Sequence, residues 1–168
     1  MRPARLLLAA LLGALALPAF PAPAAEPAAK PQPDPGLAPK LKEIGYEYEI
    51  DDDGDYKLVL GVEGERTQLV FVRSAVEAYG SHRVREIWSP AYAAPEDAFP
   101  AAVANRLLEA SSDLKLGSWI KQGRYAVLVV KLDAEASPLA LEDAIEAAAL
   151  GADRMEASLA EDPAADEF

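Results

Sequence analysis

The sequence predicts one small α+β domain in which helices pack on one face of an antiparallel sheet. Short segments of alternating apolar and polar residues are separated by glycine-containing turns, which is the pattern of a strand meander. Longer segments carry apolar residues at helical spacing. The expected order is a short helix, a meander with a further strand, a helix, two strands and a long helix.

The first 24 residues have the parts of an export signal. Arg2 and Arg5 form a positive start, an apolar stretch follows from Leu6 to Leu17, and an Ala-Pro-Ala at 22–24 suits a signal peptidase. The apolar stretch is shorter than the roughly 20 residues that span a membrane. We therefore expect cleavage after residue 24 and a periplasmic or secreted protein without stable membrane insertion. An uncleaved anchor is the alternative.

Composition also distinguishes a linker, a folded domain and a tail in the chain that remains after cleavage. Residues 25–36 are rich in proline and alanine, which predicts an extended linker, with a proline-rich ligand segment as the alternative. The domain is expected over 37–160. Acidic residues 161–168 follow the last helix and predict a disordered tail.

The first half of the domain predicts a short helix from Pro39 to Ile44, which ends at Gly45. Alternating residues then predict strands over 46–50, 56–63, 68–72 and 84–88. The fourth strand is expected to end before Pro90, because proline cannot donate a ladder hydrogen bond.

The second half predicts a helix that opens at Pro100 and strands over 114–121 and 124–132. Four residues of this helix fall near one face: Val103, Leu107, Leu108 and Ser111. The last helix begins at a Ser137 cap. Its acids are expected on the exposed side, at Glu142, Asp143, Glu146 and Asp153.

Two strand segments, 69–72 and 127–130, are apolar at every position. Such segments are typical of strands that are covered on both faces. If helices cover one face, a second subunit could cover the other and form a homodimer. Cover from within the same chain is the alternative.

Composition excludes several classes of function. The chain has no cysteine, so disulfides, thiolate metal sites, a cysteine nucleophile and a lipidated cysteine are ruled out. The formal charge is −12. Because phosphate binding needs clustered cations, we expect no nucleic-acid partner and no docking on anionic lipid.

The candidate chemistry is weak. The acidic run at 51–55 suits a hairpin turn better than a calcium loop, since a count from Glu49 places Leu60 where a bidentate ligand is needed. His82, the sole histidine, is expected in an exposed loop. No motif supports a catalytic triad or a phosphate loop. We therefore expect no catalytic, metal or cofactor site, and no enzyme.

A candidate for binding is the segment IWSPAY, in which Trp88 and Tyr92 flank Pro90. Exposed aromatic residues in irregular segments are frequent binding anchors. Trp88 could equally fill the core at the edge of the sheet. Trp119 is expected in the core.

Several of these segments resemble the YbjN-domain family, described as bacterial sensory transduction regulators. The shared features are the Gly45-Tyr46 entry with its acidic hairpin, Leu107-Leu108 before a strand at 115–117, and Ala152-Asp153 in the last helix. The resemblance covers residues 37–160 and implies a fold like that of type III secretion chaperones. It implies no active-site residues.

The function expected from these observations is that of an exported, non-enzymatic, protein-binding or regulatory module. Its partner would be an envelope protein or peptide, bound by strand addition or in a groove. The alternative is a small-ligand-sensing domain of the periplasm, with a pocket between the sheet and the last helix.

Overall fold

The sheet holds six antiparallel strands within the described residues, in the order β1-β2-β3-β4-β6-β5. A computed structural model describes residues 31–162 and 165–168. The predicted signal at 1–24 and the linker residues 25–30 lie outside this description. The strands are β1 Glu49–Ile50, β2 Tyr56–Gly61, β3 Thr67–Tyr79, β4 His82–Ala93, β5 Ser118–Gln122 and β6 Tyr125–Asp133.

The helices of the described chain are α1 Leu37–Glu43, α2 Ala101–Asp113 and α3 Pro138–Leu159. They pack on one face of the sheet, which confirms the predicted α+β class and the order of elements. The Ser137 cap is present, since its hydroxyl accepts the Ala140 N–H at 3.2 Å. Gly45 has the positive φ expected after a helix, 83°.

The core between helices and sheet consists of two clusters. The first joins α1, β2, β3 and the first half of α3, and includes Leu41 and Ile145. The second joins α2, β5, β6 and the second half of α3, and includes Leu107 and Trp119, which confirms Trp119 as a core residue. Leu108, expected on the packed face of α2, is 70% exposed because Leu107 is the residue that meets the sheet.

β3 and β4 are much longer than the apolar pattern predicts. They continue as a hairpin to a tip at Gly80, through residues that are mostly polar and exposed. Backbone hydrogen bonds between the two strands extend this hairpin, so the sequence carries no alternating apolar pattern that would predict its length. His82 is exposed as expected, but it is the first residue of β4 and not part of a loop.

Two other boundaries differ at the start of the domain. The strand predicted over 46–50 is reduced to Glu49–Ile50, since only these residues pair with β2 at the edge of the sheet. Helix α1 begins at Leu37 instead of Pro39.

Strand β4 does not end before Pro90. Pro90 is buried, pairs with Val127 and is followed by a register shift before Tyr92. A bulge leaves one residue outside the regular ladder, so a missing N–H is tolerated beside it. The prediction that proline ends this strand is therefore wrong.

The last residues of the predicted linker contact the sheet. The Asp34 carboxylate pairs with the Arg85 guanidinium of β4, and its carbonyl accepts the Tyr56 hydroxyl at 2.7 Å. The Arg85 side chain is only 4% exposed and also donates to the Arg73 carbonyl at 2.6 Å. Asp34 therefore neutralises a buried cation and attaches the segment before α1 to the sheet.

We expect this pair to make stability depend on pH in the acid range. Burial opposes ionisation of Asp34, but hydrogen bonds from the Gly36 N–H and from Arg85 outweigh it and lower the pKa of Asp34 below its ordinary 3.8. The stabilisation is therefore present above the unfolded-state pKa and is lost as pH falls through the lower folded-state pKa.

The Asp34→Ala variant should lose about 2 kcal/mol of unfolding free energy at pH 7, less than a fully buried pair because Asp34 is partly exposed. The loss should shrink as pH falls below about 4, where the carboxyl of the unfolded chain takes up a proton, and should vanish below the lower folded-state pKa. Urea unfolding across this range measures it, with exposed Asp52→Ala as the control. A loss that is the same at every pH would contradict the assignment.

Candidate binding groove on the open face of the sheet

The face of the sheet opposite the helices, here called the open face, is apolar across three neighbouring strands. The pairing register sets Phe71 of β3 beside Trp88 of β4, and Trp88 beside Val129 of β6. Val127 and Val129 are only 5% and 2% exposed, although they point away from the helices. The segments that are apolar at every position therefore supply both the core and this open face.

These side chains form a groove of about 320 Å³, here called the open-face groove. Its lining is almost entirely apolar or aromatic, with one amide side chain. The lining residues are Leu69, Phe71, Trp88, Pro90, Gln122, Tyr125, Val127 and Phe168. A concave apolar surface with few polar groups is typical of binding sites.

Trp88 is the anchor of this groove and is half-buried. The Arg73 guanidinium lies 4.5 Å from the centroid of its ring. The indole N–H donates to the Glu86 carboxylate at 2.8 Å, and Glu86 pairs with Lys131 at 3.1 Å. These contacts fix the orientation of the ring, so the groove has a rigid aromatic wall with charged groups at its rim.

Tyr92 does not share this surface with Trp88. The bulge between Pro90 and Tyr92 breaks the alternation of side chains, so Tyr92 pairs with Ala126 and packs against the second core cluster. Its ring meets Phe99 edge-to-face at 5.8 Å. The structure therefore places Trp88 in the open-face groove and Tyr92 on the helix side.

Residues 165–168 of the predicted disordered tail lie against the domain. The Asp166 carboxylate accepts the Thr67 hydroxyl at 3.0 Å and the Thr67 N–H at 3.2 Å. The Glu167 N–H donates to the Glu156 carboxylate at 2.7 Å. Phe168 then enters the open-face groove, where its ring lies 6.4 Å from that of Tyr125. These contacts hold acidic residues that composition alone assigns to solvent.

Arg66, in the turn between β2 and β3, connects this tail to α3. Its Nε atom lies 2.7 Å from Asp153, one Nη atom lies 3.0 Å from Glu156, and the other donates to the Ala165 carbonyl. The Asp153 and Glu156 side chains are 9% and 5% exposed. The expectation of an exposed Asp153 is wrong, because a turn distant in sequence supplies its cation.

Burial sets the electrostatics of this cluster. It raises the pKa of Glu156, while the hydrogen bond from the Glu167 N–H and the charge of Arg66 oppose the rise. The hydrogen bond to Asp153 raises the pKa of Arg66, which keeps the guanidinium charged. Sequence reasoning missed Arg66, Glu156 and Phe168. A usable signal was present, since Glu156 interrupts the apolar stripe of α3 beside Met155.

The acidic run at 51–55 forms the β1–β2 turn. One Asp51 oxygen accepts the N–H groups of Asp53 and Asp55, both at 2.9 Å. The Asp55 carboxylate pairs with Arg73 at 2.9 Å and accepts a hydrogen bond from the Ser74 N–H at 2.6 Å. Over residues 31–162 and 165–168, no group of three or more His, Asp or Glu side chains is placed to hold a metal ion.

Among the helices that the structure describes, none has both the length and the apolar character needed to cross a membrane.

We expect Arg66→Ala to lower the unfolding free energy by about 3 kcal/mol, because it leaves two buried carboxylates without their cation. Chemical denaturation measures the loss. Arg154→Ala is the matched control, since Arg154 is an exposed arginine on the same helix as those carboxylates. Equal effects of the two substitutions would contradict a structural role for the Arg66 cluster.

No protein-family model matches the chain, and a search of curated proteins finds no match. The resemblance to the YbjN-domain family stays a prediction.

Proposed function

We propose that this chain is an exported, non-enzymatic binding or regulatory module that holds an apolar segment of an envelope protein or peptide. The observation that carries the proposal is the open-face groove, with Trp88 as its fixed aromatic wall. Buried aromatic anchors surrounded by a polar rim dominate the energy of most protein interfaces. The YbjN-like, chaperone-like resemblance is consistent with this role and remains part of the proposal.

The groove supports this role better than the edge strands β1 and β5 do. The outward Trp119 N–H of edge strand β5 already donates to the Ser111 hydroxyl of α2 at 3.1 Å. Edge strand β1 offers only Glu49–Ile50. Strand addition needs a row of free backbone groups, and these edges offer few. Side-chain insertion into the open face is therefore the favoured mode.

The partner segment should carry an aromatic side chain. The ring of Phe168 already occupies one end of the groove beside Tyr125, which shows that a phenyl group fits there. The remaining floor, made by Phe71, Trp88 and Val127, can accept further apolar side chains.

Site-specific photo-cross-linking tests the proposal. A photoreactive residue replaces Gln122, at the groove, in the full chain exported with its own signal. Mass spectrometry identifies the cross-linked segment, and a synthetic peptide of that segment is titrated against the purified chain. We expect Trp88→Ala to weaken peptide binding at least about tenfold, because it removes the anchor.

The matched control is Tyr79→Ala, an aromatic residue at the hairpin tip that is 83% exposed and distant from the groove. Circular dichroism confirms that both variants fold. Equal peptide binding by the two variants would contradict the proposed site. Cross-links only to a second copy of the chain would instead identify the open face as a homodimer interface.

A small-ligand sensor is the second candidate. A cavity of about 350 Å³ lies between the end of β4 and the end of α3, lined by Tyr92, Glu156 and Leu159 among others. This volume is within the range of small-molecule sites. A ligand-induced rise in melting temperature that Tyr92→Ala abolishes and Trp88→Ala preserves would favour this function.

A further inference from the structure

We infer that residues 165–168 form a latch, an intramolecular occupant of the open-face groove that leaves when a partner segment enters. This inference rests on the proposed function. Phe168 closes the end of the groove at Tyr125, where the two rings meet edge-to-face, so a partner side chain that packs on Tyr125 must displace it. The latch would make binding conditional on release of the chain's own tail.

The path of the tail joins the two faces of the sheet. Helix α3 ends at Leu159 on the helix side. The tail then meets Arg66, in the turn before β3, and Thr67, the first residue of β3. Phe168 follows on the open face. The tail therefore carries a polar attachment at the end of the sheet and an apolar attachment in the groove.

The strength of these attachments is suited to reversible opening. The contacts between Asp166 and Thr67 are exposed, so water competes for the same donors. Phe168 is half-buried, with one face against the groove. The partly buried Glu156 carboxylate accepts hydrogen bonds from the Glu167 N–H at 2.7 Å and from the Phe168 N–H. No covalent bond or extended ladder joins the tail to the sheet in the described residues.

The latch also defines the chemistry of a competing partner. The groove takes an aromatic ring, and the neighbouring Thr67 N–H and hydroxyl take a carboxylate. A segment with an acidic residue shortly before an aromatic residue would satisfy both. Because the tail is tethered, its effective concentration is in the millimolar range, so it competes well even with low intrinsic affinity.

A binding experiment in trans tests the latch. A fluorescent peptide with the sequence of residues 161–168 is titrated against the wild-type full chain and against full-chain Phe168→Ala, in which the groove is vacated. We expect the peptide to bind Phe168→Ala at least about tenfold more tightly than wild type. Asp166→Ala, which removes only the contacts to Thr67, should give an intermediate gain.

The controls locate the binding. In the Phe168→Ala chain, adding Tyr125→Ala should abolish peptide binding, because Tyr125 is the ring that Phe168 meets, and adding Tyr79→Ala should leave it unchanged. A peptide in which Phe168 is replaced by alanine should not bind. Equal affinity for the wild-type and Phe168→Ala chains would overturn the latch, and so would absence of binding to both.

Failure of the latch is distinguishable from failure of the proposed function. A partner peptide that needs Trp88 but binds wild type and Phe168→Ala equally would remove the latch and leave the binding function standing. A partner peptide that is indifferent to Trp88→Ala would remove the groove as a site, and the latch with it.

Discussion

The helices of the described chain pack on one face of the sheet, and most other features follow from that constraint. Helix α3 crosses β3, β4 and β6, and completes both core clusters with α1 and α2. The strands beneath it are apolar on both faces, so covering one face leaves the other apolar. The open-face groove is the consequence of this one-sided arrangement.

Two arginines, the buried Arg85 and the partly buried Arg66, attach the ends of the described chain to the sheet. Arg85 of β4 is neutralised by Asp34 before α1, and Arg66 holds Asp153, Glu156 and the Ala165 carbonyl after α3. A buried cation requires a carboxylate partner with good geometry. The same electrostatic requirement therefore places the polar segments at both ends, and the second of them directs Phe168 to the groove.

The groove and the tail together resemble a binding site with a built-in competitor. Trp88 is held by Arg73 and Glu86, so the wall of the groove is organised before any partner arrives. The tail shields part of an apolar surface that would otherwise promote association.

Local pattern in the sequence determined the fold class, the order of elements, the Ser137 cap and the core position of Trp119. These depend on the periodicity of apolar residues and on capping chemistry within a few positions. Tertiary structure alone decided the bulge that separates Trp88 from Tyr92, the burial of Asp153 and the docking of Phe168. The reason is physical: Arg66 and Asp153 are 87 positions apart, and Asp166 and Thr67 are 99 apart. No local pattern specifies such pairs, because their contact exists only once the sheet and α3 have come together.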